Sequence, residues 1–425
     1  MLDIKQIREN PERFKKAAKD KHFEIDIGEL LEVDARLRED KLGLQELTTE
    51  INKLGKSVPK LAEAQKQKVI TELSKLKQKA STLDEKLKEL QPKFDAFMLL
   101  VPQPTDDDVP IGKDETENVE IRREGKVRQF DFEPKDHVQL GTALGIIDIE
   151  RGVKLAGTRN YILKGDGALL HWAVLRFAMD FMVGRGYVPM SVPVLMKDEA
   201  MTGTGFFPGS EDQTYRMEAD QLNLAGTAEV PLTAYHMGEI LSGEELPKKY
   251  VALSSCFRRE AGAAGKDTYG LYRIHQFDKI EQVVICKNSV EESNRFHEEI
   301  LANAEGVMAA LELPYRVANV CTGDLGRGQA KKYDIEAWMP SRKNYCETHS
   351  ASKFYEFQAR RMNLRYKDAA AKKNLFCHTL NNTVVASPRI LIPILELYQN
   401  ADGSVTIPKV LRPYMGGREK IVHSE

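Results

Sequence analysis

The chain has 425 residues, 30% of them charged, with a formal net charge of −2. That length supports two or three domains, and the near-neutral balance excludes a surface that binds polyanions everywhere, so any nucleic-acid contact must use a local patch. The five cysteines (Cys256, Cys286, Cys321, Cys346 and Cys377) form no CxxC or His-containing cluster, which argues for reduced thiols and no zinc. The start, MLDIKQIRENPERF, lacks an apolar h-region and no long uncharged apolar run follows, so a cytoplasmic protein with no membrane contact is expected.

In the first hundred residues prolines are few (Pro11, Pro59 and Pro92). Leu2, Ile4, Ile7 and Phe14 suggest a short amphipathic helix. Two heptad ladders follow. One runs Leu30, Leu37, Leu44, Ile51 with Val33, Asp40, Leu47, Leu54; the other runs Val69, Leu73, Leu76, Ala80, Leu83, Leu87, Leu90, Phe94, Phe97. Pro59 interrupts them. An antiparallel two-helix coiled coil folded about residue 60 would oppose Ile51 to Val69, Leu44 to Leu76, Leu37 to Leu83 and Leu30 to Leu90. Near its tip eight lysines, among them Lys53, Lys56, Lys60, Lys66, Lys68 and Lys75, face only Glu63 and Glu72. By itself this is an ordinary solvated helix face; on a rigid arm it suits a phosphate backbone.

The turn-rich, acidic stretch after Val101 is a domain junction. Asp166 to Gly184 has helical apolar spacing and leads into the proline-punctuated strand VPMSVPVLM. Thr227 and Glu229 would share a face if extended, or would cap a helix. Next, SSCFRRE and IHQFDKIEQVVIC read as paired strands joined by a Gly/Ala-rich loop. Their inner ends gather Arg258, Glu260, Arg273, Phe277 and Glu281. Arginines clamp phosphate or carboxylate oxygens in a bidentate manner, and an aromatic stacks a base. A triphosphate nucleotide beside a small zwitterion would satisfy such a set.

FRREAG followed by YRIHQFDKIE resembles the second signature motif of class II aminoacyl-tRNA synthetases, in the form carried by the seryl-tRNA synthetase family. No HIGH-like or KMSKS-like sequence is present. The helix with its Pro193-bearing strand resembles the first motif, whose role in the family is homodimerisation. TAE resembles the serine-recognition loop, and the resemblance extends through YDIEAWMPSRKNYCETHS and HTLNNTVVASPRI to cover essentially the whole chain. The fold implied is α+β: a tRNA-binding domain with the coiled-coil arm over 1–103, and over 104–425 a catalytic domain on a mainly antiparallel sheet flanked by helices.

The resemblance also implies roles. Thr227, Ala228, Glu229, Arg258, Glu281 and Thr383 would hold L-serine. ATP would meet Arg258, Arg259, Glu260, Arg273, Ile274, Phe277, Glu347, Thr348, His349, Ser350 and Arg389, with Mg2+ held through ATP by Glu347 and Ser350. Arg258 and Arg389 would be catalytic, and the arm lysines would contact tRNA(Ser), with tRNA(Sec) left open as a further acceptor. His349 and Lys353 stand where bacterial relatives usually have Ser and Asn; Asn382, Val384 and Pro388 replace glycines, and Tyr269 replaces an arginine, an exchange expected to affect the tRNA acceptor end or closure over ATP. Two other readings are weighed. A tRNA-independent amino-acid activating ligase would not need the basic arm, and an inactive RNA-binding paralogue would not keep Arg258, Glu260, Glu281, Glu347 and Arg389.

Overall fold

The computed structural model describes residues 1–262 and 269–423; residues 263 to 268 of the Gly/Ala-rich loop lie outside them. Contacts divide the chain into two units, Met1–Pro104 and Thr105–Glu425.

In the first unit, α1 (Ile4–Glu9) and α2 (Pro11–Asp20) replace the single amphipathic helix expected. The reason is local: Asn10 caps α2 and Pro11 occupies its first turn, where a missing N–H costs nothing. Ile7 and Phe14 are buried, and Arg8 grips buried Asp34 through Nε at 2.7 Å and Nη2 at 2.6 Å. The long helices are α3 (Ile27–Ser57) and α4 (Glu63–Leu100). Leu30, Val33 and Leu37 are buried, and every position of the second ladder is half-buried among mostly exposed neighbours, as a two-helix seam requires. Pro92 lies inside α4.

The pairing of the two helices is displaced from the expected one. Gly43 packs beside Leu83, Lys41 donates to Gln91 at 2.7 Å, and Lys93 donates to Glu29 at 2.7 Å. Each pair is centred beyond residue 60. Pro59 does not end the first helix sharply; Val58–Lys60 continues as a 3-10 turn and the chain reverses at Leu61 and Ala62.

The second unit is built on eight strands: β1 (Val119–Glu124), β2 (Val188–Met190), β3 (Lys248–Phe257), β4 (Gln276–Cys286), β5 (Tyr315–Asn319), β6 (Lys331–Met339), β7 (Asn344–Tyr355) and β8 (His378–Ser387). Their order across the sheet is β1-β5-β6-β7-β8-β4-β3-β2. All neighbours are antiparallel except β2 and β3. The expected long strand around Pro193 breaks into Val188–Met190 and Leu195–Met196, because proline removes a ladder donor.

Strand periodicity sorts side chains between the two faces. Along β4, Ile280 and Val284 enter the main core with Phe296, Ile300 and Val307 of a helix over Val290–Ala310, and Gln282 donates to the Ile300 carbonyl at 2.9 Å. Asn382 does the same from β8, at 2.6 Å, so this residue braces the sheet against that helix. The core also holds Leu170, Val174, Ala178 and Met182 of the helix Asp166–Gly184. Among the described residues, that helix has the length and apolar composition to cross a membrane; it carries an Arg176–Asp180 ion pair at 2.9 Å. The face of β4 opposite Ile280 and Gln282 is the floor of the site.

Candidate active site

Phe277, Lys279 and Glu281 alternate along β4 with the core residues and line a cleft of about 850 Å³, counted to its open mouth. Thr383, Asn381 and Ala386 from β8, and Glu347, Thr348, His349, Ser350 and Ser352 from β7, extend the wall. Thr227, Glu229, Arg258, Glu260, Leu271, Tyr272, Ile274 and Arg389 complete much of the rest. Strand β3 stops at Phe257 and β4 begins at Gln276, so Arg258 and Glu260 lie beyond the ladder rather than on an extended strand as expected, and Arg273 precedes the second strand. A backbone bond from Arg258 to the His275 carbonyl, 2.9 Å, prolongs the pairing just far enough to aim Arg258 inward.

Glu281 is almost fully buried and pairs with the Lys279 ammonium. The Thr227 hydroxyl donates to Glu281 at 3.4 Å, and Lys279 donates to the Thr383 hydroxyl at 3.4 Å. Thr227 and Glu229 open a short helix, Glu229–Ala234, and are not on a strand; the Glu229 N–H donates to the Thr227 hydroxyl at 3.1 Å. Burial, followed by the charge of Glu281, pushes the Glu229 carboxyl up to about 7, while Gln358 donates to it at 2.8 Å.

At the other end of the cleft the guanidiniums gather. Arg258 lies 5.2 Å over the Phe277 ring, and Arg389 lies 4.4 Å over the Tyr272 ring. Arg389 donates from Nε to the Tyr272 carbonyl at 3.1 Å and from Nη1 to the Glu347 carbonyl at 3.2 Å. Burial opposes ionisation of Glu347, but Arg389, Lys332, Arg258 and Arg273 outweigh it and hold the carboxyl below its ordinary range. Glu260 adopts φ 52°, an uncommon conformation for a side-chain-bearing residue, and is held there by Arg273 at 2.7 Å.

The remaining expected residues divide. Ala228 is fully buried outside the lining, and Arg259 is exposed with its N–H on the Gln213 carbonyl at 2.9 Å. Arg273 acts on the cleft through Glu260. His349 lines the cleft; Thr348 donates its hydroxyl to Ile335 at 3.1 Å, leaving its oxygen to accept from His349 Nδ1 at 2.8 Å, and burial lowers the imidazole to about 4. Lys353 points elsewhere, to Asp106 and Asn294. Sequence reasoning missed Lys279, Asn381 and Tyr272. For the first two, strand alternation was the available signal, since Lys279 sits between Phe277 and Glu281 and Asn381 precedes Thr383 by two.

A family model described as "Seryl-tRNA synthetase N-terminal domain" matches residues 1–104, and one described as "tRNA synthetase class II core domain (G, H, P, S and T)" matches residues 213–398. The chain is 47% identical to a serine–tRNA ligase of Deinococcus radiodurans, over 99% of this chain and 98% of that protein. It belongs to the seryl-tRNA synthetase family. Two solved structures agree. The seryl-tRNA synthetase of Pyrococcus horikoshii complexed with ATP superposes with a TM-score of 0.93 at 38% identity, covering 100% of both chains. The cytoplasmic serine–tRNA ligase of Naegleria fowleri in complex with AMP gives 0.89 at 31% identity, covering 100% of this chain and 99% of that one. The second-motif reading of FRREAG and YRIHQFDKIE is thereby accounted for within a family whose two domains both match.

Proposed function

We infer that the chain is a class II serine–tRNA ligase that attaches L-serine to tRNA(Ser) at the expense of ATP. The observation carrying the site assignment is the convergence of Arg258, Phe277, Glu281, Thr383 and Arg389 on one cleft. The serine carboxylate attacks the α-phosphorus of ATP in line, releasing pyrophosphate; the terminal ribose hydroxyl of the tRNA then takes the seryl group from the adenylate. Such transfers depend on positioning and charge stabilisation.

Arg258 bridges the α-phosphate and the serine carboxylate. Phe277 and Arg389 bracket the adenine, and Arg389 also meets the γ-phosphate. Glu281, with Thr227 and Glu229 beside it, holds the serine ammonium, and Thr383 meets its hydroxyl. A half-exposed Glu347 carboxylate and the Ser350 hydroxyl in the cleft wall are hard oxygen donors that suit magnesium carried in with ATP, which supplies charge neutralisation on the phosphates. Zinc has no place in this reading.

The arm, within a tRNA-binding domain assigned to 1–103, serves tRNA with Lys53, Lys56, Lys60, Lys66, Lys68 and Lys75; all but Lys66 are exposed, and Lys66 pairs with Glu63 at 3.6 Å. The catalytic domain, 104–425, acts as a homodimer, a reading supported by exposed apolar Trp172, Val183, Val188 and Leu253, and the cytoplasm is its proposed place of action. Incubation with tRNA(Ser), serine and ATP should give seryl-tRNA. Activation of serine without transfer to tRNA would contradict it.

A further inference from the structure

Arg389 is held by Tyr272, and Tyr272 is the second residue of a short segment tied to a part of the chain that plays no role in the chemistry described so far. That part is the start of the helix His137–Ala143. Asp136 caps it and also accepts from the Tyr269 hydroxyl, at 3.3 and 3.2 Å to its two oxygens. His137 is buried. Its Nδ1 stands 2.8 Å from Glu396 Oε1. The Glu396 carboxylate further accepts from the His137 N–H at 3.1 Å, the Ser341 N–H at 2.9 Å and the Ser341 hydroxyl at 2.8 Å. A carboxylate that only accepts requires the imidazole to donate from Nδ1. Nε2 then carries a lone pair, and it receives the Leu271 N–H at 3.2 Å.

The consequence reaches the cleft within one residue. Leu271 and Tyr272 both line it. The Tyr272 carbonyl accepts Arg389 Nε at 3.1 Å, its ring lies 4.4 Å from the guanidinium, and its hydroxyl donates to the Glu347 carbonyl at 3.4 Å. Gly270 has φ +73°, and a Cβ there would collide with His137 Nε2, so glycine permits the approach that makes this bond. A buried N–H without its acceptor carries an uncompensated desolvation cost.

We propose that His137 is a positioning residue for the nucleotide site: its Nε2 fixes the Leu271 backbone, which sets the Tyr272 platform on which Arg389 is oriented. The assignment rests on Arg389 serving ATP. Serine-dependent pyrophosphate exchange by the full chain separates the two nitrogens. In His137→Asn the side-chain amide reproduces Nδ1 and keeps Glu396 but leaves Leu271 unbonded; in His137→Gln it reaches the Nε2 position and can accept from Leu271.

His137→Asn should raise the KM for ATP about tenfold, the size of one lost hydrogen bond, with the KM for serine within about twofold. His137→Gln should stay within about threefold of the wild type. Gly270→Ala, whose added methyl collides with His137 Nε2, should raise the KM for ATP about fivefold or more. An unchanged KM for ATP in His137→Asn or in Gly270→Ala overturns the proposal, as does a Gln variant no better than Asn. Arg389→Ala is run alongside: if it raises the KM for ATP while the His137 variants do not, the link through Leu271 alone is wrong. If Arg389→Ala leaves it unchanged, the nucleotide reading fails and this proposal with it.

Discussion

Lys279 and Glu281 form a buried ion pair on one face of a single strand, two residues apart at the floor of the cleft. Two threonine hydroxyls approach it, Thr227 on the Glu281 side and Thr383 on the Lys279 side, each at 3.4 Å. The pair gives the buried carboxylate a cationic partner and two hydroxyls close by, a setting into which a substrate ammonium fits as a further partner.

Replacing Lys279 by methionine keeps the volume and strands the carboxylate. Breaking a buried pair by removing one partner costs about 3–5 kcal/mol. The Lys279→Met enzyme should melt at a lower temperature and lose at least ~100-fold in kcat/KM for serine. Thermal unfolding together with pyrophosphate exchange at varied serine measures both, and a variant equal to wild type in the exchange would remove Lys279 from the site.

Glu229 gives the site a pH dependence. Its carboxyl, ordinarily at 4.5, sits at about 7 because it is buried and faces Glu281. The folded state therefore holds the extra proton between those values; the group's contribution to stability is full below about pH 4.5 and is lost as pH rises through 7. Serine binding runs the other way, since its ammonium prefers the ionised carboxylate. The KM for serine should fall as pH rises from about 6 to about 8, and Glu229→Gln should abolish that slope while stabilising the protein at pH 8 by roughly 1–3 kcal/mol. A pH profile unaltered by the substitution would show that another group titrates.

Much of this site was legible because strands and helices repeat. Phe277 and Glu281 follow from the paired-strand reading and the seam residues of the arm from the heptad, whereas Thr383 follows from the resemblance to the family. Two of the misreadings arise where the chain turns: the reversal at Leu61 and Ala62 displaced the pairing of the arm helices, and Arg258 left the strand one residue after Phe257. His137 was not legible at all. Its contribution depends on a backbone N–H more than a hundred residues away, and no side-chain pattern records that.

Arg258 lines the cleft, where its side chain makes a long hydrogen bond from Nε to the Gly226 carbonyl at 3.3 Å and lies over the Phe277 ring. Its removal should leave the fold intact and abolish pyrophosphate exchange, a loss of about 10³-fold or more when a preorganised charge is deleted from a transition state. The arm, in a separate unit, should keep its helical circular dichroism. Near-normal exchange by Arg258→Ala would sink the phosphate assignment.

Neutralising Lys53, Lys56, Lys60 and Lys68 together should separate activation from transfer. Pyrophosphate exchange should stay at the wild-type rate, while the KM for tRNA(Ser) rises about tenfold or more and its salt dependence flattens, each lost phosphate contact reducing the log–log slope by about 0.7–0.9. Titration of aminoacylation against salt reads both. An unchanged slope would place the tRNA contacts elsewhere.

Substrate choice is the point on which every assignment in the cleft converges. Serine-dependent pyrophosphate exchange, repeated with threonine, alanine and glycine, compares the hydroxyl that Thr383 is proposed to meet with its absence and with one extra methyl. A site built around that hydroxyl should favour serine over alanine and glycine by ~10³-fold or more, because the analogues leave buried polar groups unpaired. Equal exchange rates with all four amino acids would contradict the assignment of this cleft to serine.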